Sequence, residues 1–161
     1  MITKKASHNS ADAQFDALFT DIRVDSVKQL YQEMAYMCAS TCELEAEEII
    51  SALMNGSQDT ISALGNGIAF PNFKSDKISE DVTILIKLHE PVEMDTADGE
   101  PVEIVVMVVS PSKKGSSHLQ RLSKIVRMFR DKDLRANLKS ATTLDALQAI
   151  LQYQDLSKQA A

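Results

Sequence analysis

Three groups of side chains in this sequence stand out by type and spacing as able to carry chemistry. The first is Gly65-Asn66-Gly67-Ile68-Ala69-Phe70-Pro71-Asn72, a glycine-bearing loop that ends on an amide. An Asn amide nitrogen has given its lone pair to the carbonyl and can only donate hydrogen bonds, so Asn72 is no nucleophile. Nor is the loop a P-loop, because no Gly-Lys-[Ser/Thr] follows at the spacing a nucleoside triphosphate requires. The second group is the histidines His8, His89 and His118. A neutral imidazole keeps a ring-nitrogen lone pair and can serve as a covalent nucleophile. His8 falls in a polar segment and reads as solvated. His89 follows an alternating strand and precedes Glu90-Pro91, so it reads as a strand cap at the surface. His118 stands at the head of a helical pattern. The third group is Cys38 and Cys42, which one helix would place on a single face. No His or further Cys lies nearby to complete four tetrahedral ligands, so no metal is implied. They read as two reduced thiols at a helix end.

The elements that must position these groups follow from periodicity. Residues 1–14 are polar and predict a mobile tail; residues 15–24 bring in the first apolar side chains and a short strand. Ser26 and Gln29 have capping-box spacing ahead of Val27, Leu30, Met34, Met37 and Cys38, which recur at helical intervals. Ser40 with Glu43 repeats that cap and predicts a second helix bearing Leu44, Ile49, Ile50 and Leu53, stopped at Asn55-Gly56-Ser57. Residues 60–70 read as an irregular strand leading into the glycine loop. Val82, Ile84, Ile86 and Leu88 alternate, predicting a strand with one face more buried. Val102 to Val109 is an almost unbroken β-branched run, the mark of a strand covered on both faces. A helix with Leu119, Leu122, Ile125, Val126 and Phe129 on one face follows. Two more follow it: one around Leu134 and Leu138, and one capped by Thr142 with Asp145. Helices around a doubly buried strand indicate an α/β layered domain. One domain over 15–156 is expected, with fraying at 157–161.

Composition narrows the function. At 161 residues and 44% hydrophobic, the chain can bury a full core without disulfides or metals. A net charge of −6 argues against general nucleic-acid binding, which needs clustered Lys and Arg. No apolar run approaches the ~18 residues of a membrane helix, and the N-terminus lacks a signal core, so a cytoplasmic protein is expected.

The segment 65–72 resembles G-N-G-[IV]-A-[IFV]-P-H, the motif of enzyme IIA proteins of the bacterial phosphotransferase system, with Asn72 where those proteins carry a phosphorylated His. Val92 to Val102 looks like the nitrogen-type segment V-[DE]-[FM]-[DG]-[AST]-x-D-G-x-P-V. His118-Leu119 matches the H-L-x-x-L-[AS] signature, and Ser26-Val27-Lys28 the S-[KV]-K helix start. The resemblance spans roughly residues 19 to 152, with the motifs in order and at the right separations. It implies a mixed sheet of about five strands flanked by helices on both faces. It places a site where the loop ending at Asn72 meets the helix beginning near His118, the second histidine of that site. Ser62, Gly65, Asn66 and Gly67 would line its phosphate side. An Arg-Glu pair carried by active members falls on Gly56 and Ser57 here, so the arginine suited to bidentate phosphate contacts is lost.

The resemblance implies no cofactor and a function through protein partners: an HPr-type carrier, a sensor kinase or a potassium-transport regulator. Asn72 would lock the chain in the unphosphorylated form and could satisfy loop hydrogen bonds, His118 among the partners. The alternative is a phosphocarrier whose acceptor has moved to His118. A small-anion or nucleotide sensor using the same helix N-terminus is a third reading. Phe70, Phe73 and Met94 are candidates for an apolar rim around the loop.

Overall fold

The computed structural model describes residues 2–5, 15–55, 61–113 and 115–159. Six strands form one mixed sheet in the order β1-β2-β5-β6-β4-β3. They are β1 (Ile2–Lys5), β2 (Ala17–Ile22), β3 (Ile61–Gly65), β4 (Ile68–Ser75), β5 (Val82–Val92) and β6 (Val102–Pro111). The pairs β2·β5 and β4·β6 are parallel; β1·β2, β3·β4 and β5·β6 are antiparallel.

The sixth strand lies where the sequence predicts a mobile tail. β1 pairs with the outer edge of β2, Ile2 opposite Thr20 through Lys5 opposite Ala17. That pairing covers backbone groups that an edge strand would otherwise leave open. Residues 6–14, His8 among them, lie outside the described residues.

The run from Val102 to Val109 is buried on both faces, as its composition predicts. Val105, Met107 and Val109 pack with helices α1 (Val27–Ala39) and α2 (Ala46–Asn55). Ile104, Val106 and Val108 pack with α3 (Gly115–Met128), α4 (Lys132–Ser140) and α5 (Leu144–Gln159). Each such fully buried Val or Ile contributes about 1.5–3 kcal/mol relative to exposure. β5 is more symmetric than its alternation suggests: Thr83, Leu85 and Lys87 are buried as well. It is a central strand between β2 and β6, and helices cover both of its faces.

Helix boundaries depend on caps. Ser26 caps the start of α1 as predicted, its hydroxyl accepting from the Gln29 N–H at 3.1 Å, while Gln29 Oε1 accepts from the Asp25 N–H at 2.8 Å. Ser40 does not open α2. It ends α1, its hydroxyl donating to the Met37 carbonyl at 2.7 Å. α2 starts at Ala46, after the Glu45 carbonyl accepts from Glu48 and Ile49. α5 is capped by Thr143, one residue beyond Thr142, and runs to Gln159, past the predicted fray at 157. Asp131 caps α4 by accepting from the N–H groups of Asp133 and Leu134. No helix among the described residues is long and apolar enough to cross a membrane.

Candidate functional site

Asn72 sits inside a strand, not at the end of a loop. It is the fifth residue of β4, paired with Val108 of β6, and Lys74 pairs with Ser110 two positions on. Ile68 and Phe70 of β4 face the α3–α5 layer, as do Val106 and Val108 of β6. Because side chains alternate along a strand, Asn72, Lys74 and Ser110 share that face. His118, on the first turns of α3, comes down onto the same end of it. Its Nδ1 lies 2.7 Å from Ser110 Oγ, with both residues buried (5% and 0% exposed). The sequence-expected neighbours Asn72 and His118 are thus brought to one end of one sheet face. Their hydrogen bonds are separate: the Asn72 amide donates to the Phe70 carbonyl at 3.0 Å, and the His118 ring bonds Ser110.

The ring of His118 is held below the ordinary histidine range. Burial is the main cause, since it disfavours the charged form; the Lys74 cation adds to it and the Asp81 carboxylate opposes it. The imidazole is therefore neutral near pH 7. If Nδ1–H donates to Ser110, Nε2 keeps the free lone pair.

The glycines do something else. Gly65-Asn66-Gly67 is the turn joining β3 to β4, with φ of 78°, 57° and 80°. It lies roughly 16 Å of strand away from Asn72, at about 3.3 Å per residue. The Asn66 N–H donates to Asp98 Oδ2 at 2.7 Å, and the N–H groups of Glu103 and Ile104 both donate to the Gly67 carbonyl at the start of β6. A Cβ on Gly65 would stand 2.8 Å from Asp98 Oδ2. The Asp98 carboxylate thus already accepts from the Asn66 N–H within the turn, which stands apart from Asn72 and His118. Ser62 pairs with Phe70 in β3, while Gly56 and Ser57 lie outside the described residues.

The three rim candidates do not form one rim. Phe70 is buried (3% exposed) under the α3–α5 layer, whereas Phe73 and Met94 are half-buried against the α1–α2 core. The apolar surface next to His118 is on α3. Leu119 is 65% exposed and lines a shallow groove with Leu122, Val126, Arg127 and Arg130. Leu119 departs from the buried stripe because His118, Ile125 and Met128 take the inward positions.

Sequence reasoning missed Ser110, Lys74 and Asp81. Ser110 carried a signal, a polar residue closing the apolar run from Ile104 to Val109. Asp81 holds a buried Oδ1 without a hydrogen-bond partner among the described residues. Nor do those residues gather three or more His, Cys, Asp or Glu side chains into a metal-holding group.

Relatives extend this picture. A "Nitrogen regulatory protein" of Bradyrhizobium diazoefficiens is 27% identical over 136 residues, covering 84% of this chain and 89% of the relative. The crystal structure of nitrogen regulatory protein IIA-Ntr from Neisseria meningitidis superposes with a TM-score of 0.76 at 26% identity, covering 83% of this chain and 92% of that one. The complex of enzyme IIA mannitol with phosphorylated enzyme IIB mannitol from Escherichia coli shares the fold at 15% identity, with a TM-score of 0.69 over 89% and 97% of the two chains. Residues 14–154 match the family described as "Phosphoenolpyruvate-dependent sugar phosphotransferase system, EIIA 2". With nearly the whole chain accounted for, this protein belongs to the EIIA type 2 family of the phosphotransferase system.

Proposed function

We propose that this protein is a nitrogen-type EIIA regulator that acts by binding protein partners and does not carry phosphate at residue 72. One observation carries the reading. Asn72, on the sheet face shared with His118 and Lys74, offers an amide engaged with the Phe70 carbonyl and no lone pair for attack on phosphorus. The nitrogen regulatory relatives favour signalling over sugar transport as its role, in the cytoplasm. Its partners would be an HPr-type carrier, a sensor kinase or a potassium-transport regulator, recognised in one fixed, unphosphorylated state.

A second reading has support from a separate observation. His118 is neutral and is oriented through Nδ1 by Ser110, which suits a ring nitrogen for nucleophilic attack. Its burial opposes this, because a donor must deliver the phosphoryl group nearly in line. The test is intact mass after incubation with phosphoenolpyruvate, enzyme I and an HPr-type carrier. No mass gain is expected. A phosphoryl gain that disappears in His118→Gln would establish the second reading and overturn the first.

A further inference from the structure

We propose that Cys38 and Cys42 form a reversible dithiol–disulfide site, oxidised by a small neutral hydroperoxide that enters the cleft beside Cys42. The inference is independent of what happens at Asn72 or His118. The two sulfurs lie 3.8 Å apart, and neither is in a disulfide. Cys38 is fully buried in the last turn of α1, packed in the core. Cys42 lies beyond the end of that helix, in the connection to α2, and is half-buried. It lines a cleft of ≈ 280 Å³ with Asp16, Glu43, Glu80 and Asp81.

The pair divides the labour of oxidation. The Cys42 thiol is lowered to about 7, chiefly because the Cys38 S–H can donate to the Cys42 thiolate; the Leu44 N–H helps, while burial and Glu43 oppose. Cys38 is pushed strongly upward by the same hydrogen bond and by burial. Cys42, half-buried and lining the cleft, is therefore the attacking sulfur, and Cys38, enclosed in the core, the resolving one. The Cys42 thiolate attacks one peroxide oxygen and breaks the O–O bond; the departing hydroxide takes a proton and leaves as water. Cys42 is now a sulfenic acid. The Cys38 sulfur attacks it, the S–O bond breaks, and the hydroxyl leaves as a second water with the Cys38 proton. Two thiols and one hydroperoxide thus give one disulfide and two waters, or water and an alcohol from an alkyl peroxide.

Local structure permits the closure. The Cys42 N–H donates to the Cys38 carbonyl at 3.0 Å, so the two residues span one α-turn. Such spacing puts their Cβ atoms about 5–6 Å apart, against about 3.5–4.5 Å in a disulfide. The remaining approach falls on the turn after Ser40, which has no helical ladder beyond it to resist. The acidic lining selects the oxidant, because four carboxylates repel anionic disulfides such as oxidised glutathione and admit a neutral peroxide.

The full chain is treated with equimolar hydrogen peroxide near neutral pH, then denatured, alkylated with N-ethylmaleimide and weighed. The expected product is a monomer lighter by two hydrogens that takes no label and regains both labels after dithiothreitol. Native Cys42→Ser should consume peroxide about tenfold more slowly or worse. Cys38→Ser should stop at a sulfenic acid trapped by dimedone, and Cys42→Ser keeps the test open if that core variant does not fold. Full double labelling after peroxide, a disulfide-linked dimer, or a product heavier by oxygens in the native chain would each overturn the proposal.

Discussion

His118 and Ser110 meet across 2.7 Å at the point where the first turns of α3 rest on the end of β6. The contact joins the only buried histidine among the described residues to the one buried polar side chain of β6. It fixes the ring that faces the Asn72 side of the sheet. Its burial has a measurable consequence for acid stability. With the folded-state pKa below the unfolded value of about 6.5, the unfolded chain binds more protons in the acid range. Stability is then full above about pH 7 and declines as the pH falls through about 6.5. Urea midpoints measured from pH 7.5 to 5 should show that decline, and His118→Gln should flatten it. An equal slope in both proteins would mean that other groups set the acid response.

Ser110→Ala leaves a buried imidazole nitrogen without its partner. The expected loss is about 1–3 kcal/mol by urea denaturation, with the unfolding slope unchanged. Ser110→Thr, which keeps the hydroxyl, should recover part of that loss. Equal losses in both variants would point to packing and not to the hydrogen bond.

The layered fold was legible because its signals are local and redundant. A β-branched run such as Val102 to Val109 admits little besides a doubly covered strand, and Ser26 with Gln29 reads as a helix start. The site was legible in part. Its two ends, Asn72 and His118, stood out through the motifs that carry the family resemblance. Ser110, Lys74 and Asp81 reach that region only through the parallel register of β4 with β6 and through the docking of α3, which no local spacing encodes. The glycine turn was misplaced for a similar reason. Asp98, which occupies the Asn66 amide, is distant in sequence, so the loop reads as open when it is already filled. Ser40 was ambiguous because Ser is favourable both where a helix starts and where its hydroxyl can bond back to a carbonyl.

Gly65 should be less replaceable than Gly99. Its φ is +78° and a Cβ would meet Asp98 Oδ2 at 2.8 Å, whereas Gly99 has φ +70° with nothing within 4 Å. Gly65→Ala is expected to cost about 2–3 kcal/mol and Gly99→Ala about 1 kcal/mol. Thermal or urea unfolding ranks them. Equal costs would show that backbone strain alone, without the Asp98 contact, sets the requirement.

Asn72→His supplies the missing ring nitrogen on the face shared with His118 and Lys74. The local fold can accept the change, because Asn72 is half-buried and its side chain is anchored by a bond to the Phe70 carbonyl two residues away. With phosphoenolpyruvate, enzyme I and an HPr-type carrier, the variant should gain one acid-labile phosphoryl group while the native chain gains none. Adding His118→Gln should slow that labelling about 10²-fold if the second ring positions the first. Labelling that is indifferent to His118 would remove it from the site. Failure of Asn72→His to label, with the fold intact by circular dichroism, would show that residue 72 is not the sole defect and make Gly56, which the family resemblance aligns with an arginine, the next position to restore.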